Sequence, residues 1–478
     1  MPGTNDMTAG PPRTPPSKTP SLKEDSPRRS SLDEEEMKVI PVVFLSGLEP
    51  AVDRRLAQQA VLKQHRQELG VYDYAELAPS TRLLWNNTLQ MIVRKLGTGI
   101  TATVYLVKIL IGPTDLPRFT AVKVTCAAFS TDLAKAELGF LNRIRLANRA
   151  HPGYDHVAGL LSSFTIKSPF GFHTCMVIPL LAQPLDKAMA SSLPLSLKKK
   201  VIAEIILGLA YLHDECGIIH TDLTLGNVLV KIPEHIPAPD MLLTKEAWIE
   251  IATALDPAQY VMAVDARVNN DTVRIPITGD QPLQVPSLEA ISISIVDFSS
   301  AYWTTDLHHD IIQNDVTRAP EVMLGRNWNS SVDIWSLGHL AFQLLSGMDA
   351  TPMPSAEGVP FDDNYRLASL RALLGDYPED FLQECPRSNE FFNEHGRLLY
   401  QPLINARTLE ERLETIFPES AAEQALCAAW LRQLLEIQPA HRAKARNLLG
   451  HAWLRGAIKS ELSFEHPAGD SEAGAVST

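Results

Sequence analysis

Between Ile218 and Val230 the chain reads I-I-H-T-D-L-T-L-G-N-V-L-V, in which two apolar stretches frame a polar loop carrying His220, Asp222 and Asn227. An Asp followed five residues later by an Asn suits phosphoryl transfer. The Asp takes the proton of an attacking hydroxyl and the Asn holds a metal ion. Alone, an H-x-D loop is equally an ordinary capped turn. Its companions decide between the two readings. Lys123 sits inside the apolar run Thr120-Ala121-Val122-Lys123-Val124. A lysine in a buried strand is costly unless an anion meets it. Glu137 is the natural partner, although a surface ion pair is the plainer alternative. Asp297 ends the alternating run I-S-I-S-I-V-D, where it could hold a Mg²⁺ ion bridging phosphates.

Several elements must position these groups. Met91–Lys108 alternates on either side of Gly97-Thr98-Gly99, so it reads as strand, glycine turn and strand. Glycines let a backbone close over a triphosphate, but a lone G-x-G is also a plain hairpin. Asn86-Asn87 reads as a turn before the first of these strands, and Ala51–Leu69 has helix-like composition. The pattern predicts a helix over Thr131–Ala147 carrying Glu137, a strand over His173–Leu181, an amphipathic helix over Ser196–His213 and a strand over Ile291–Ser299. Glu321 in T-R-A-P-E and Arg442 in P-A-H-R are expected to form a buried salt bridge.

Composition bounds the rest. The 478 residues are 45% hydrophobic, enough for one bilobal unit or two domains. A net charge of -13 argues against a surface built for nucleic-acid phosphates and permits a basic partner. The five scattered cysteines lack metal-ligand spacing and point to a reduced protein without zinc or disulfides. No apolar run is long enough to span a membrane, and the polar, proline-rich start is unlike a secretory signal. Residues 1–40, with seven prolines, read as a disordered tail whose Ser-Pro and Thr-Pro pairs are potential phosphorylation sites.

Taken together, Leu89–Leu454 resembles the eukaryotic protein kinases. The match is closer to the serine/arginine-rich-protein kinases in their short fungal form. The closer match rests on Tyr211-Leu212-His213 through Cys216-Gly217-Ile218-Ile219-His220-Thr221-Asp222, on His173–Val177, and on Ser388-Asn389-Glu390-Phe391-Phe392 with Gly396. It also rests on an extra segment, Pro233–Ala290, between Asn227 and Asp297. The implied fold is α+β and bilobal, with a small β-rich N-lobe (89–178) and a larger, mainly helical C-lobe (182–455) interrupted by a spacer (233–290). Residues 41–88 would be an N-terminal extension and 456–478 a tail.

The resemblance implies roles. ATP and Mg²⁺ would be the cofactors. Lys123, braced by Glu137, would hold the α- and β-phosphates. Asp222 would be the base, and Asn227 and Asp297 would bind magnesium. Leu96, Gly97, Gly99, Val104, Ala121, Ile178, Pro179 and Leu181 would line the nucleotide cleft, with Ile178 beside adenine. Asp333 would brace the catalytic loop, and Glu321 and Arg442 would be structural. The implied activity is transfer of the ATP γ-phosphate to Ser or Thr of arginine/serine-rich proteins, linked to mRNA splicing. The chain would act as a monomer in cytoplasm and/or nucleus, without direct nucleic-acid or membrane contact. Lys198-Lys199-Lys200 lies within the helical stretch and is a poor import signal.

Thr221 replaces the arginine of H-R-D, so no activation-loop phosphate is expected to be needed. Thr224 stands where such kinases carry a phosphate-touching lysine, Ser299 replaces the glycine after Asp297-Phe298, and Ala102 replaces the third loop glycine. These departures leave an alternative: a pseudokinase that binds nucleotide or partner with little turnover. A small-molecule phosphotransferase shares the Asp, Asn and Asp set, but Ala319-Pro320-Glu321 and Asp333-Ile334-Trp335-Ser336 argue against it. Residues 349–396 hold ten acidic side chains against three arginines. They read either as a solvated face or as a docking groove for arginine-rich substrate, with Asp362 and Asp363 as its candidates.

Overall fold

The computed structural model describes residues 39–40, 77, 81–85, 88–99, 101–113, 117–127, 132–168, 170–185, 193–232, 292–351, 354, 361–402, 404 and 407–458. The chain divides into Met1–Lys38 and Val39–Thr478. The first unit lies outside the described residues, as do the expected helix at 51–69 and the expected spacer.

The small lobe is built on one sheet of order β1-β6-β7-β5-β4-β3-β2. Its strands are β1 Val39–Ile40, β2 Arg82–Trp85, β3 Thr88–Thr98, β4 Ala102–Ile111, β5 Phe119–Thr125, β6 Ser162–Ser168 and β7 Gly171–Pro179. The pairs are antiparallel except β1 on β6. The sheet therefore begins ahead of Leu89 and takes a strand from the end of the expected tail. Every residue of β5 is buried. Val122 and Val124 face one apolar cluster with Ile92, Tyr105, Phe164 and Cys175, while Lys123 alternates to the other face. Helix α1, Asp132–Leu146, follows β5 as its apolar periodicity predicts.

β7 ends at Pro179 instead of running on to Leu181. Pro179 has no N–H to continue the ladder. The chain restarts as β8, Leu181–Pro184, and joins a second sheet in the order β11 (Ile293–Ile295), β10 (Val228–Lys231), β8. This break is the hinge between the lobes.

The large lobe packs around α2, Leu195–Ala210, and α3, Ser331–Ser346, both buried along most of their length. After α2 the backbone widens into a π turn, Tyr211–Cys216, closed by Gly217 at φ 68°. That conformation costs glycine little. β9, Ile218–Ile219, then enters the catalytic loop, and β10, Val228–Lys231, leaves it. β11, Ile293–Ile295, pairs antiparallel with β10, with Val228 opposite Ile295 and Val230 opposite Ile293. The expected strand at 291–299 is thus only three residues long. Its last residues bend away to form a loop. β12, Tyr302–Trp303, pairs with β9. Two further helices, α4 Asp363–Leu374 and α5 Ala421–Leu434, complete the elements used below. One core cluster runs from Phe140, Leu141 and Ile144 of α1 through α2 and α3 to Trp430 and Trp453, so α1 packs on the large lobe as well as on the sheet.

All five cysteines are free and buried. Among the described residues no helix is long and apolar enough to cross a membrane.

Candidate active site

Strand β5 delivers Lys123 opposite Met176 and Val104, on the inner face of the sheet. Its Nζ lies 2.5 Å from Glu137 Oε1 and 2.9 Å from Asp297 Oδ1. These two contacts tie β5, α1 and the end of β11 to one atom. Burial opposes the lysine charge, but the two carboxylates outweigh it and raise the Lys123 pKa. The surface-pair alternative is excluded by geometry, since the Lys123 and Glu137 side chains are 11% and 5% exposed.

The catalytic loop is held from below by Asp333 at the start of α3. Its Oδ2 accepts the His220 N–H at 2.8 Å and its Oδ1 accepts the Thr221 N–H at 2.8 Å. His213 Nε2 lies 2.8 Å from the same Oδ2. Burial works to raise the Asp333 pKa, yet the hydrogen bonds and the nearby imidazoles lower it overall. Thr221 adopts φ 64°, a strained conformation for a β-branched residue, costing about 1–3 kcal/mol. Its hydroxyl donates to the Ser300 carbonyl at 2.6 Å, so this residue links the loop directly to the segment after Asp297.

Asn227 Nδ2 donates to the Asp222 carbonyl at 2.8 Å and to Asp222 Oδ2 at 3.0 Å. Both contacts orient the Asp222 carboxylate and leave the amide oxygen as the atom of Asn227 suited to a cation. Burial, helped by the Asp297 charge, raises the Asp222 pKa against His220 and Asn227. Asp297 shows the opposite balance. Burial would raise its pKa, but the Lys123 charge and hydrogen bond, with contacts from Ser299, lower it to about 2. Phe298, behind it, is fully buried and packs edge-on to His220 at 5.2 Å.

Serine in place of the glycine after Asp297-Phe298 meets no left-handed backbone at position 299. The left-handed residue of this turn is Asp297, at φ 66°, and Ser299 is not among the positive-φ positions. Aspartate tolerates that region comparatively well. Thr224 begins the short 3-10 turn Leu225–Asn227 in an extended conformation, and its side chain makes no capping hydrogen bond.

Gly97 and Gly99 stand where β3 turns into β4, and the Gly99 N–H donates to the Ala102 carbonyl at 2.8 Å. Neither glycine has positive φ. A Cβ at Gly97 would meet nothing within 4 Å, and one at Gly99 only the Ala102 oxygen at 3.8 Å. Among the described residues, no side-chain clash and no positive φ requires these glycines. Leu96 packs with Val93, Leu106, Phe119 and Leu180, and Ala121 stands opposite Ile178 in the sheet. Pro179 and Leu181 bracket the hinge, with Leu181 opposite Lys231.

Glu321 and Arg442 form a fully buried bidentate pair, with contacts of 2.5 and 2.7 Å. The acidic stretch is less available than its composition suggests. Asp362 caps α4 by accepting the Tyr365 N–H at 2.9 Å. Asp363 lies 2.5 Å from Arg366 Nη2 and 3.6 Å from Arg387 Nη1. Both carboxylates already serve the protein. Lys198, Lys199 and Lys200 are likewise engaged, with the Leu345 carbonyl, Glu423 and Glu204.

Two residues that sequence reasoning passed over also shape the site. Gln313, at φ 64°, accepts the Ala319 N–H and donates to the Val332 carbonyl and the Ser336 hydroxyl, which fastens the activation segment to α3. Trp303 packs against Phe140 of α1. Neither belongs to a spacing pattern, so nothing in the sequence marks them beyond an aromatic residue downstream of Asp297.

A curled antiparallel sheet over a helical lobe, with a lysine–glutamate pair and an Asp, Asn and Asp set in the cleft, defines the protein kinase class. No family model matches the chain. Among curated proteins, the chain is 31% identical over 381 residues to the serine/threonine-protein kinase SRPK of Physarum polycephalum, covering 76% of this chain and 85% of the relative. It is 26% identical to protein kinase dsk1 of Schizosaccharomyces pombe over 78% of this chain and 82% of that one. It is 24% identical to mouse SRSF protein kinase 3 over 76% of this chain and 86% of that one. The chain belongs to the SRPK family of serine/threonine protein kinases.

Proposed function

We propose that this chain is an active kinase that transfers the γ-phosphate of ATP to serine in arginine/serine-rich proteins, including proteins of mRNA splicing. The observation that carries this reading is the convergence of Glu137 and Asp297 on Lys123, beside an Asp222 carboxylate oriented by Asn227. In the proposed reaction Asp222 accepts the proton of the substrate hydroxyl while that oxygen bonds to the γ-phosphorus, the bond to the bridging oxygen breaks, and ADP leaves. Lys123 holds the α- and β-phosphates in place, and the glycine turn has room to cover them. The open space beside Gly97, where a Cβ would meet nothing within 4 Å, supports that cover.

The donor set fits Mg²⁺. Asp297 and the Asn227 amide supply hard oxygens, and the described residues offer no group of three or more His, Cys, Asp or Glu that would form a complete protein cage. When bound, Mg²⁺ neutralises phosphate charge between Asp297 and Asn227. The pseudokinase alternative loses one of its grounds, since Ser299 imposes no left-handed strain. For docking, the relatives' names support arginine/serine-rich substrates, and the acidic stretch is their proposed landing surface. There Asp362 and Asp363 would have to exchange internal partners for substrate arginines. A radiolabel transfer assay on an Arg-Ser repeat peptide, with Asp222→Ala as blank, tests the function. Transfer by the wild type that vanishes in the blank is expected; equal incorporation in both refutes it.

A further inference from the structure

Helix α1 carries Glu137 and must sit at one depth for Glu137 to reach Lys123. Its C-terminal end is tied to the large lobe. Arg143 Nε and Nη2 donate to the Cys216 and Glu215 carbonyls at 3.2 and 2.5 Å, and the Tyr211 hydroxyl donates to the Ile144 carbonyl at 2.6 Å. Arg143 lies about 9 Å along the helix from Glu137 at 1.5 Å per residue. A helix fastened at one end alone could pivot at the other.

The contact that opposes such a pivot is Trp303. Its ring centroid lies 4.6 Å from that of Phe140, which is one turn beyond Glu137 on the same side of the helix. The ring also runs beneath the α1 backbone, since a Cβ at Gly139 would stand 3.8 Å from Trp303 Cζ2. Trp303 itself is fixed by the catalytic loop's own approach strand. It pairs with Ile218, and the next residue, Thr304, donates its N–H to the Gly217 carbonyl at 2.9 Å. Upstream, the Ser300 carbonyl is held by the Thr221 hydroxyl. A continuous path of contacts therefore runs from the residue before Asp222, through the activation segment, to the helix of Glu137.

We propose that Trp303 is a positioning residue: it holds α1 at the depth where Glu137 meets Lys123, and so couples assembly of the Lys123–Glu137 pair to the fold of the activation segment. The inference rests on the kinase reading above, because its effect is measured on phosphate transfer. A half-buried aromatic ring is also a packing element, so the test must separate positioning from stability. A double-mutant cycle of Trp303→Leu with Glu137→Gln does this. With Glu137 present, Trp303→Leu lowers kcat/KM for ATP by about tenfold to a hundredfold, the scale of a misplacement near one ångström, while KM for an arginine-rich peptide stays unchanged. In the Glu137→Gln background the same substitution costs little more, because the pair it positions is already gone. Trp303→Phe, which keeps a ring against Phe140, restores most of the rate, and Phe140→Leu reproduces part of the loss from the other side of the contact.

Equal costs of Trp303→Leu in both backgrounds overturn the inference, as does wild-type kcat/KM in Trp303→Leu. If Trp303→Leu does not fold, Phe140→Leu enters the same cycle, and an additive result there overturns it too. Failure of the wild type itself to transfer phosphate above the Asp222→Ala blank would instead overturn the kinase reading, and this inference with it.

Discussion

Two regions of the large lobe are rich in carboxylates, and they use them differently. Around the catalytic loop most charges meet partners far away in sequence, Asp222 with Asn227 being the local exception. Lys123 meets Asp297, Asp333 receives His213, His220 and Thr221, and Glu321 meets Arg442. In the acidic stretch at 349–396 most partners are local. Asp362 caps its own helix, Asp363 pairs with Arg366, Arg371 with Asp376, and Arg387 with Glu390. Long-range pairs close the fold around one point and fix the position of reacting atoms. Local pairs decorate a surface and can be exchanged at small cost. Charge composition alone does not separate the two cases; partner distance along the chain does.

The largest effect should come from the base that the long-range set positions. Asp222→Ala should lower transfer by about a thousandfold or more while the thermal unfolding temperature stays near wild type. A variant that retains most of its rate would remove Asp222 from the proposed role. Next comes Glu321→Ala, which strands a buried Arg442 and should cost about 3–5 kcal/mol by denaturant unfolding. The local surface pair Arg387–Glu390 gives the contrast, since Glu390→Ala should cost no more than about 1 kcal/mol. Similar losses for both would erase the distinction drawn here.

Thr224→Lys probes the one gap in the long-range set. It should raise turnover, by up to about a hundredfold if the lost donor resembles an oxyanion-hole group, or leave it unchanged. The Asp222 pKa is raised, and the base must be ionised, so activity should fall on acidification at a pH above the ordinary aspartate range. An ammonium at position 224 should move that limb to lower pH. A lower rate in Thr224→Lys would assign Thr224 a function of its own.

Stability should fall in acid for a separate reason. Burial lowers the pKa of His156 and His339 to about 4, so both are neutral in the fold and take up protons on unfolding. Their contribution is complete above about pH 6.5 and declines between there and pH 4, by about 1.4 kcal/mol per pH unit for each. His339→Gln should flatten part of that slope in urea titrations between pH 4.5 and 6.5, by about half if the two residues contribute alike. An unchanged slope would contradict the assignment.

The smallest effect belongs to the acidic stretch. Charge reversal at Asp362 and Asp363 should weaken binding of arginine-rich peptides, and reversal at Asp362 also removes a helix cap worth about 0.5–2 kcal/mol. Asp362→Ser keeps a capping oxygen and removes only the charge. Unchanged peptide affinity at moderate salt in Asp362→Ser and in the reversed pair would exclude docking at these positions.

Much of the site was legible because its chemistry constrains residue type and spacing together. Lys123 inside an apolar strand, Asp222 with Asn227, and Asp297 after an alternating run are recognisable one by one. Their convergence follows once the strands and α1 are placed. The short β11 and the break at Pro179 were less legible. Apolar alternation persists past the last ladder bond, and only the left-handed turn at Asp297 and the missing Pro179 N–H end those strands. Trp303 and Gln313 left no signal, because a wedge and a clamp are defined by what they touch and not by their neighbours in sequence. The acidic stretch was legible in composition alone: its carboxylates are visible in a sequence, while the arginines they pair with become visible only in the fold.

The measurement that tests the central claim most directly is phosphate transfer from Mg-ATP to an Arg-Ser repeat peptide, with Asp222→Ala and Lys123→Met as blanks. Incorporation on serine that disappears in both blanks is the predicted result. Nucleotide binding by thermal shift without any transfer would contradict it, and would place Thr224 at the centre of a silent kinase fold.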